Sequence, residues 1–129
     1  MHSVTFRTAV PADWADVAAL LVEAELPLAG AEAHLPRFIL GFRGDQLVAC
    51  AGIEIYGSTA LLRSVAVRKC ERSTGLGQEI VRRLLDDAYA IGLKTVVLLT
   101  TTADRFFSRF GFVRVSRADV PGEVFASLE

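Results

Sequence analysis

One stretch of the chain combines residue types and spacing that can do chemistry: Arg72-Ser73-Thr74-Gly75-Leu76-Gly77-Gln78. It follows the apolar run Val65-Ala66-Val67 and the basic loop Arg68-Lys69-Cys70-Glu71, and a helix-period pattern begins directly after it. The first turn of a helix carries backbone N–H groups without intrahelical partners, at the positive end of the helix dipole. Glycines let an anion approach that backbone closely, and Arg72 adds a charge of the right sign. The stretch is therefore suited to hold a phosphate or pyrophosphate. Taken alone, Gly-x-Gly before a helix is more often only a turn and a cap, and that alternative stays open. No Lys-Ser/Thr follows the glycines, which excludes a nucleoside-triphosphatase loop, and the third glycine of a dinucleotide fingerprint is missing.

Two charged residues interrupt apolar runs elsewhere. Glu54 is the one charge between Val48 and Tyr56, and Arg63 sits beside Ser64 among Leu and Val. Each reads either as a solvated strand face or as a site residue, and they can also pair with each other. Cys50, Cys70, His2 and His34 show no metal-ligand spacing and no disulfide framework. No metal is expected, and a reducing cytoplasm is the simplest home.

Positioning such residues takes a folded core. The chain has 129 residues, a length that suits one domain spanning 1–129, and 52% of them are hydrophobic. Fourteen Lys and Arg against fifteen Asp and Glu argue against binding nucleic acid by neutralising phosphates. No apolar run is long enough for a membrane span, and Met1-His2-Ser3-Val4-Thr5 does not open a secretory signal. The final Leu128-Glu129 is given no structural weight.

The pattern predicts a short strand from Val4 to Thr8. A helix should follow from Pro11-Ala12-Asp13-Trp14 to about Glu25, with Val17, Leu20, Leu21 and Ala24 on one stripe. A further turn of helix falls within Ala31–Leu35. Phe38–Phe42, Leu47–Tyr56 and Thr59–Val67, separated by Arg43-Gly44-Asp45-Gln46 and Gly57-Ser58, read as an antiparallel meander. A helix then runs from Gly75 to Gly92, with Leu76, Ile80, Val81, Leu84, Leu85 and Ala88 inward and Arg82, Arg83, Asp86 and Asp87 outward. Thr95–Leu99 reads as a strand covered on both faces, about 103–109 as a short helix, and Phe112–Val115 as the start of a last strand. The fold class is α+β, an α/β sandwich around one mixed sheet.

Three of these segments resemble the GCN5-related N-acetyltransferases. Arg72-Ser73-Thr74-Gly75-Leu76-Gly77 fits that family's Arg/Gln-x-x-Gly-x-Gly/Ala acyl-CoA motif, and Leu62-Arg63-Ser64-Val65-Ala66-Val67 looks like its central strand. Phe106-Phe107-Ser108-Arg109-Phe110-Gly111-Phe112 is similar to its aromatic helix ending in Gly-Phe. Leu61–Val67 and Leu98-Leu99-Thr100-Thr101-Thr102-Ala103 also look like the small members grouped as arsenic-resistance or amino-acid N-acetyltransferases.

The resemblance implies a mostly antiparallel sheet with helices on both faces and a V-shaped splay between its central strands. It implies acetyl-CoA as co-substrate and direct attack by the primary amine of a small molecule, an amino acid or an analogue. Backbone groups of Val65, Ala66 and Val67 would pair with the pantetheine arm, and the N–H groups of Arg72, Ser73, Thr74, Gly75, Leu76, Gly77 and Gln78 would hold the pyrophosphate. Phe106 and Phe107 would lie beside the arm, or simply pack in the core.

Val65 N–H is the expected oxyanion donor, Glu54 the expected base, and Arg63 with Ser64 the expected acceptor contacts, Arg63 as a bidentate clamp on a carboxylate. Glu23 and Glu25 could line the same mouth or remain surface charges. The pattern is broken at two positions. Phe107 stands where the family often has a tyrosine acid, and Thr100 where many members have Asn. Ser108, Tyr56 or water could substitute, and the alternative reading is an inactive acyl-CoA-binding sensor or scaffold. The short tail Val120-Pro121-Gly122-Glu123-Val124-Phe125 leaves the sheet to end early or to be completed by a second copy, as in a homodimer.

Overall fold

The structure is a computed structural model, and it describes residues 3–100, 103–115, 118 and 120. Five strands form one sheet in sequence order: β1 (Val4–Thr8), β2 (Phe38–Arg43), β3 (Gln46–Tyr56), β4 (Thr59–Val67) and β5 (Thr95–Val97). The first four pair antiparallel and β5 joins β4 in parallel. Helix α1 (Trp14–Glu23) follows β1, α2 (Leu76–Ala90) crosses from β4 to β5, and α3 (Asp104–Ser108) follows β5. The mixed, mostly antiparallel sheet expected from the sequence is the one observed.

Alternation along the strands sends side chains to two cores. Phe38 and Leu40 of β2, with Leu47 and Cys50 of β3, pack against Val17, Leu20 and Leu21 of α1. Ile39, Ala49, Ala51 and Ile53 pack on the opposite face against Ile80, Val81 and Leu84 of α2. Burying each large aliphatic side chain of α2 contributes about 1.5–3 kcal/mol. The helix stops where Gly92 turns left-handed at φ 89° and Leu93 N–H bonds back to Ala88 O at 3.1 Å.

Two irregularities in the sheet shape the site. β4 carries one extra residue opposite β3: Cys50 faces Ala66 but Gly52 faces Arg63, so Ser64 and Val65 together oppose Ala51. Ser64 is left-handed at φ 59°. The bulge reverses the alternation, so Ala60 and Leu62 face α2 before it, and Val65 and Val67 face α2 after it. The second irregularity is the length of β5. It pairs with β4 only at Thr59–Leu61, and Leu98, Leu99 and Thr100 run on without ladder bonds. From Leu62 onward, the β5-side edge of β4 therefore has no strand beside it among the described residues, which is the expected splay.

Two expectations are corrected. Thr95–Leu99 was expected to be covered on both faces; instead the strand is three residues long and Leu99 is 63% exposed. As the last strand among the described residues, β5 has no neighbour to cover its outer side. Phe112–Val115 is not a strand. Phe112 packs its ring against Phe107 at 5.9 Å, while Val113 and Val115 are exposed. The tail from Pro121 to Phe125, which bears on whether the sheet ends early or a second copy completes it, and the final Leu128-Glu129 lie outside the described residues.

Candidate functional site

The loop between β4 and α2 is exposed from Arg72 to Gly75 and half-buried at Gly77 and Gln78. Ser73 and Gly75 are both left-handed, at φ 71° and 84°. Gly75 is the N-cap of α2, and no side chain caps the helix there, so the first-turn N–H groups face outward without a side-chain acceptor. A Cβ built on Gly75 would meet nothing within 4 Å, and one on Gly77 would touch Phe106 and Val67 at 3.5 Å. The backbone is open to a ligand on one side, and the Phe106 ring stands beside it on the other.

Three braces hold this loop. Arg43 at the end of β2 donates to both oxygens of Glu71, at 2.7 and 2.8 Å. These bonds hold the Glu71 carboxyl below the usual carboxylate range against the opposing effect of desolvation. Arg68 donates to Leu47 O at 2.7 Å. Glu23 accepts from Lys69 N–H at 3.4 Å and pairs with Arg68 at 3.6 Å, so Glu23 supports the loop, while Glu25 is an exposed left-handed residue after α1. Arg72 folds back to donate to Val67 O at 3.1 Å, which keeps its cation at the end of β4.

Val65 and Val67 are half-buried on the α2 face, next to Phe106 and Phe107. Phe106 and Phe107 meet edge to face at 5.0 Å, and Phe106 continues to Phe110 at 5.6 Å. Phe107 thus belongs to an aromatic cluster. Thr100 accepts from Ala103 N–H at 3.0 Å, and Ser108 donates to Arg105 O at 2.9 Å.

On the other face of the sheet lies a buried polar group. Glu54 is 2% exposed in the central strand β3, which overturns the alternative of a solvated edge-strand charge. Arg63 Nη1 donates to Glu54 Oε2 at 2.5 Å, and the Tyr56 hydroxyl donates to Oε1. His34 Nε2 stands 3.7 Å from the same Oε1. Arg63 also donates from Nη2 to Ala29 O at 2.7 Å and from Nε to Ser64 Oγ at 3.0 Å. Its three nitrogens are therefore all engaged.

The loop carrying Ala29 and Gly30 closes tightly over the pair. Gly30 is left-handed at φ 77°, and a Cβ there would come within 3.0 Å of Arg63 Nη1. Beneath the bulge, the Cys50 thiol donates to Ser64 O at 3.2 Å. Burial pushes that thiol up to about 12, so it stays a protonated donor.

The structure thus brings the expected residues into two groups, one on each face of the sheet. Val65, Val67, the 72–78 loop, Phe106 and Phe107 lie on the α2 side. Glu54 and Arg63 lie on the α1 side, with Ser64 at the bulge between. Sequence reasoning missed His34 and weighed Tyr56 only as a substitute acid. Tyr56 was legible, because it lies two residues from Glu54 on a strand and shares its face. His34 comes from a loop twenty residues away, and no local pattern announces it.

Comparison with known proteins follows the same outline. The profile of the Acetyltransferase (GNAT) family matches residues 6–112. The amino-acid acetyltransferase of Mycobacterium tuberculosis is 33% identical over 84 residues, covering 64% of this chain and 48% of that protein. The structure of N-acetylglutamate synthase from Neisseria gonorrhoeae, complexed with coenzyme A and N-acetyl-glutamate, superposes with a TM-score of 0.86 at 22% identity, over 99% of this chain and 32% of that one. Rv2747 from Mycobacterium tuberculosis, in a complex that includes CoA, superposes with a TM-score of 0.79 at 26% identity, over 96% and 80%. The chain spans about half the length of the curated relative and about a third of the synthase.

Proposed function

The chain belongs to the Acetyltransferase (GNAT) family, and from that premise we propose that it moves an acetyl group from acetyl-CoA to the primary amine of an amino acid or a close analogue. The observation that carries this reading is one juxtaposition. The start of α2, which no side chain caps, lies at the end of β4, whose β5-side edge from Leu62 onward has no strand beside it among the described residues. A diphosphate fits the N–H groups of residues 72–78, and an extended thiol-bearing arm fits the strand edge at Val65–Val67. Acetyl-CoA supplies an acyl thioester whose leaving group, a thiolate, is stable enough to depart without a dedicated acid.

The chain's own groups do the rest. Val65 N–H donates to the thioester carbonyl oxygen. Phe106 and Phe107 shield the arm. Glu54 takes the proton from the acceptor amine, directly or through water. Arg63 is assigned the role of partner to Glu54, because a bidentate grip on an acceptor carboxylate would have to displace bonds it already makes. Phe107 cannot donate a proton and Tyr56 is bound to Glu54, so the departing thiolate is protonated by solvent. The amino-acid class of acceptor is supported by the name of the curated relative and by the amino-acid product in the synthase complex. The reading puts the enzyme in the cytoplasm, where the free thiols Cys50 and Cys70 stay reduced.

The test is thiol release from acetyl-CoA against a panel of amino acids and small amines, beside calorimetric binding of acetyl-CoA. Binding with turnover of at least one amino acid is expected. Binding without turnover of any amine leaves only a sensor, and no binding overturns the reading. Glu54→Gln should lower turnover more at neutral than at alkaline pH, where the amine is already deprotonated; an equal loss at both removes Glu54 as the base.

A further inference from the structure

Glu54 is only 2% exposed at its side chain, yet a base must pass its proton on to bulk water before each new cycle. Among the described residues, Arg63, Tyr56 and His34 reach its carboxylate. Arg63 is a fixed cation and cannot accept a proton, and Tyr56 is spent as a donor. His34 is the third, at 3.7 Å from Oε1, and its side chain is 32% exposed. Of these three it is the one with a ring nitrogen that can both accept and release a proton, and it reaches from the carboxylate to solvent. The backbone that carries the ring is also held in place. Ala31 and Leu35 on either side are buried anchors, at 0% and 3% exposure. His34 N–H bonds Ala31 O at 3.2 Å, and Arg37 N–H bonds His34 O at 2.9 Å. A separation of 3.7 Å is just outside hydrogen-bond range, of the kind that closes when substrate binds.

We infer that His34 is the proton exit of the site, relaying to solvent the proton that Glu54 removes from the acceptor amine. The inference rests on the acetyltransferase reading above. An amine N–H bond breaks as a Glu54 O–H bond forms. That O–H then breaks as a bond forms to His34 Nε2, and the imidazolium, briefly paired with the restored carboxylate, releases the proton to water. The thiolate takes an equivalent proton from solvent, so the cycle balances. His34 acts through Glu54 and is a relay, not a group that touches the reacting atoms. Among the described residues, the charged and titratable groups at this cluster are Glu54 and Tyr56 from β3 and Arg63 from β4.

The experiment compares wild type, His34→Ala, His34→Gln, Glu54→Gln and the His34→Ala/Glu54→Gln double variant in thiol release, with acetyl-CoA affinity and melting temperature measured alongside. His34 is half-exposed, so both substitutions should fold; Gln keeps the polar bulk without a basic nitrogen. Both His34 variants should lose about 10–100-fold in kcat, with acetyl-CoA affinity and melting unchanged. Added imidazole should restore His34→Ala several-fold and leave wild type and Glu54→Gln unaffected. In the double variant the His34 loss should vanish, because the relay has nothing to relay. Kcat within twofold of wild type, a loss that imidazole does not rescue, or a loss additive with Glu54→Gln overturns the relay while leaving the acetyltransferase reading standing. Wild type that binds no acetyl-CoA, or turns over no amine, fails that reading instead and takes the relay with it.

Discussion

Replacing Arg63 with Met tests how the buried polar group is held together. Arg63 is 14% exposed at its side chain and Glu54 2%, and the substitution removes the bond at 2.5 Å while roughly keeping the volume. Tyr56 still donates to Glu54, but the carboxylate is left in the sheet with its countercharge gone. Breaking a buried pair from one side costs about 3–5 kcal/mol, because the remaining charge is uncompensated. The bond to Ala29 O is lost as well, so that carbonyl must turn to water. For a chain of this length, about 3–5 kcal/mol corresponds to a fall of about 10–20 °C in melting temperature. The double variant Glu54→Leu/Arg63→Met should recover most of that fall, since well-packed apolar residues replace a buried pair at little cost, and should have no activity. The assay is thermal unfolding by circular dichroism, paired with thiol release. A melting temperature for Arg63→Met within about 2 °C of wild type, or a double variant less stable than the single one, refutes the reasoning, since either means the pair is effectively solvated.

Gly75→Glu should weaken acetyl-CoA binding more than tenfold by calorimetry, whereas Gly75→Asn, which tolerates left-handed φ without adding charge, should retain most of the affinity. Equal losses in the two would trace the effect to side-chain bulk and not to charge. Gly52→Ala should destabilise by about 1–3 kcal/mol in denaturant unfolding, because its Cβ would fall 2.2 Å from the buried Phe38 ring; an unchanged midpoint would mean that the ring moves freely. Asp13, bonded by Arg7 at 2.8 Å, and Glu71, bonded by Arg43, are both held below the ordinary carboxylate range. The unfolded chain therefore binds more protons than the folded one in that window. Their contribution is fully present above about pH 5 and lost as pH falls below the ordinary carboxylate values, about 4, through the lowered folded ones. Melting temperature should drop in acid, and Arg7→Gln with Arg43→Gln should flatten the drop; a parallel curve for the double variant would exclude these two pairs as its source.

Much of the fold was legible because local chemistry and tertiary packing agree along most of the chain. The stripe of Leu76, Ile80, Val81, Leu84 and Ala88 is buried as its spacing predicts, and the strand Thr59–Val67 has the bounds expected of it. The loop at residues 72–78 was legible for the same reason: a glycine at a strand-to-helix junction marks a left-handed turn, which Gly75 makes at φ 84°. What could not be read depends on contacts distant in sequence. The pairing of Glu54 with Arg63 was open among the alternatives, but the burial of Glu54 was not, because it also needs the loop that carries Ala29, Gly30 and His34, twenty or more residues away. Phe112–Val115 has strand composition, yet its ring is claimed by Phe107 and no neighbouring strand receives its backbone. The bulge at Ser64-Val65 left a trace only in hindsight, as the polar Arg63-Ser64 step in an apolar run.

That bulge has an evolutionary consequence. By changing which face odd-numbered residues address, it lets one nine-residue strand divide them between two faces: Arg63 before the kink meets Glu54 on the α1 side, and Val65 and Val67 after it pack on the α2 side. Side chains before the kink can therefore change on one face while those after it keep their packing on the other. Deleting Ser64 would remove the extra residue and turn one half of the strand to the wrong face.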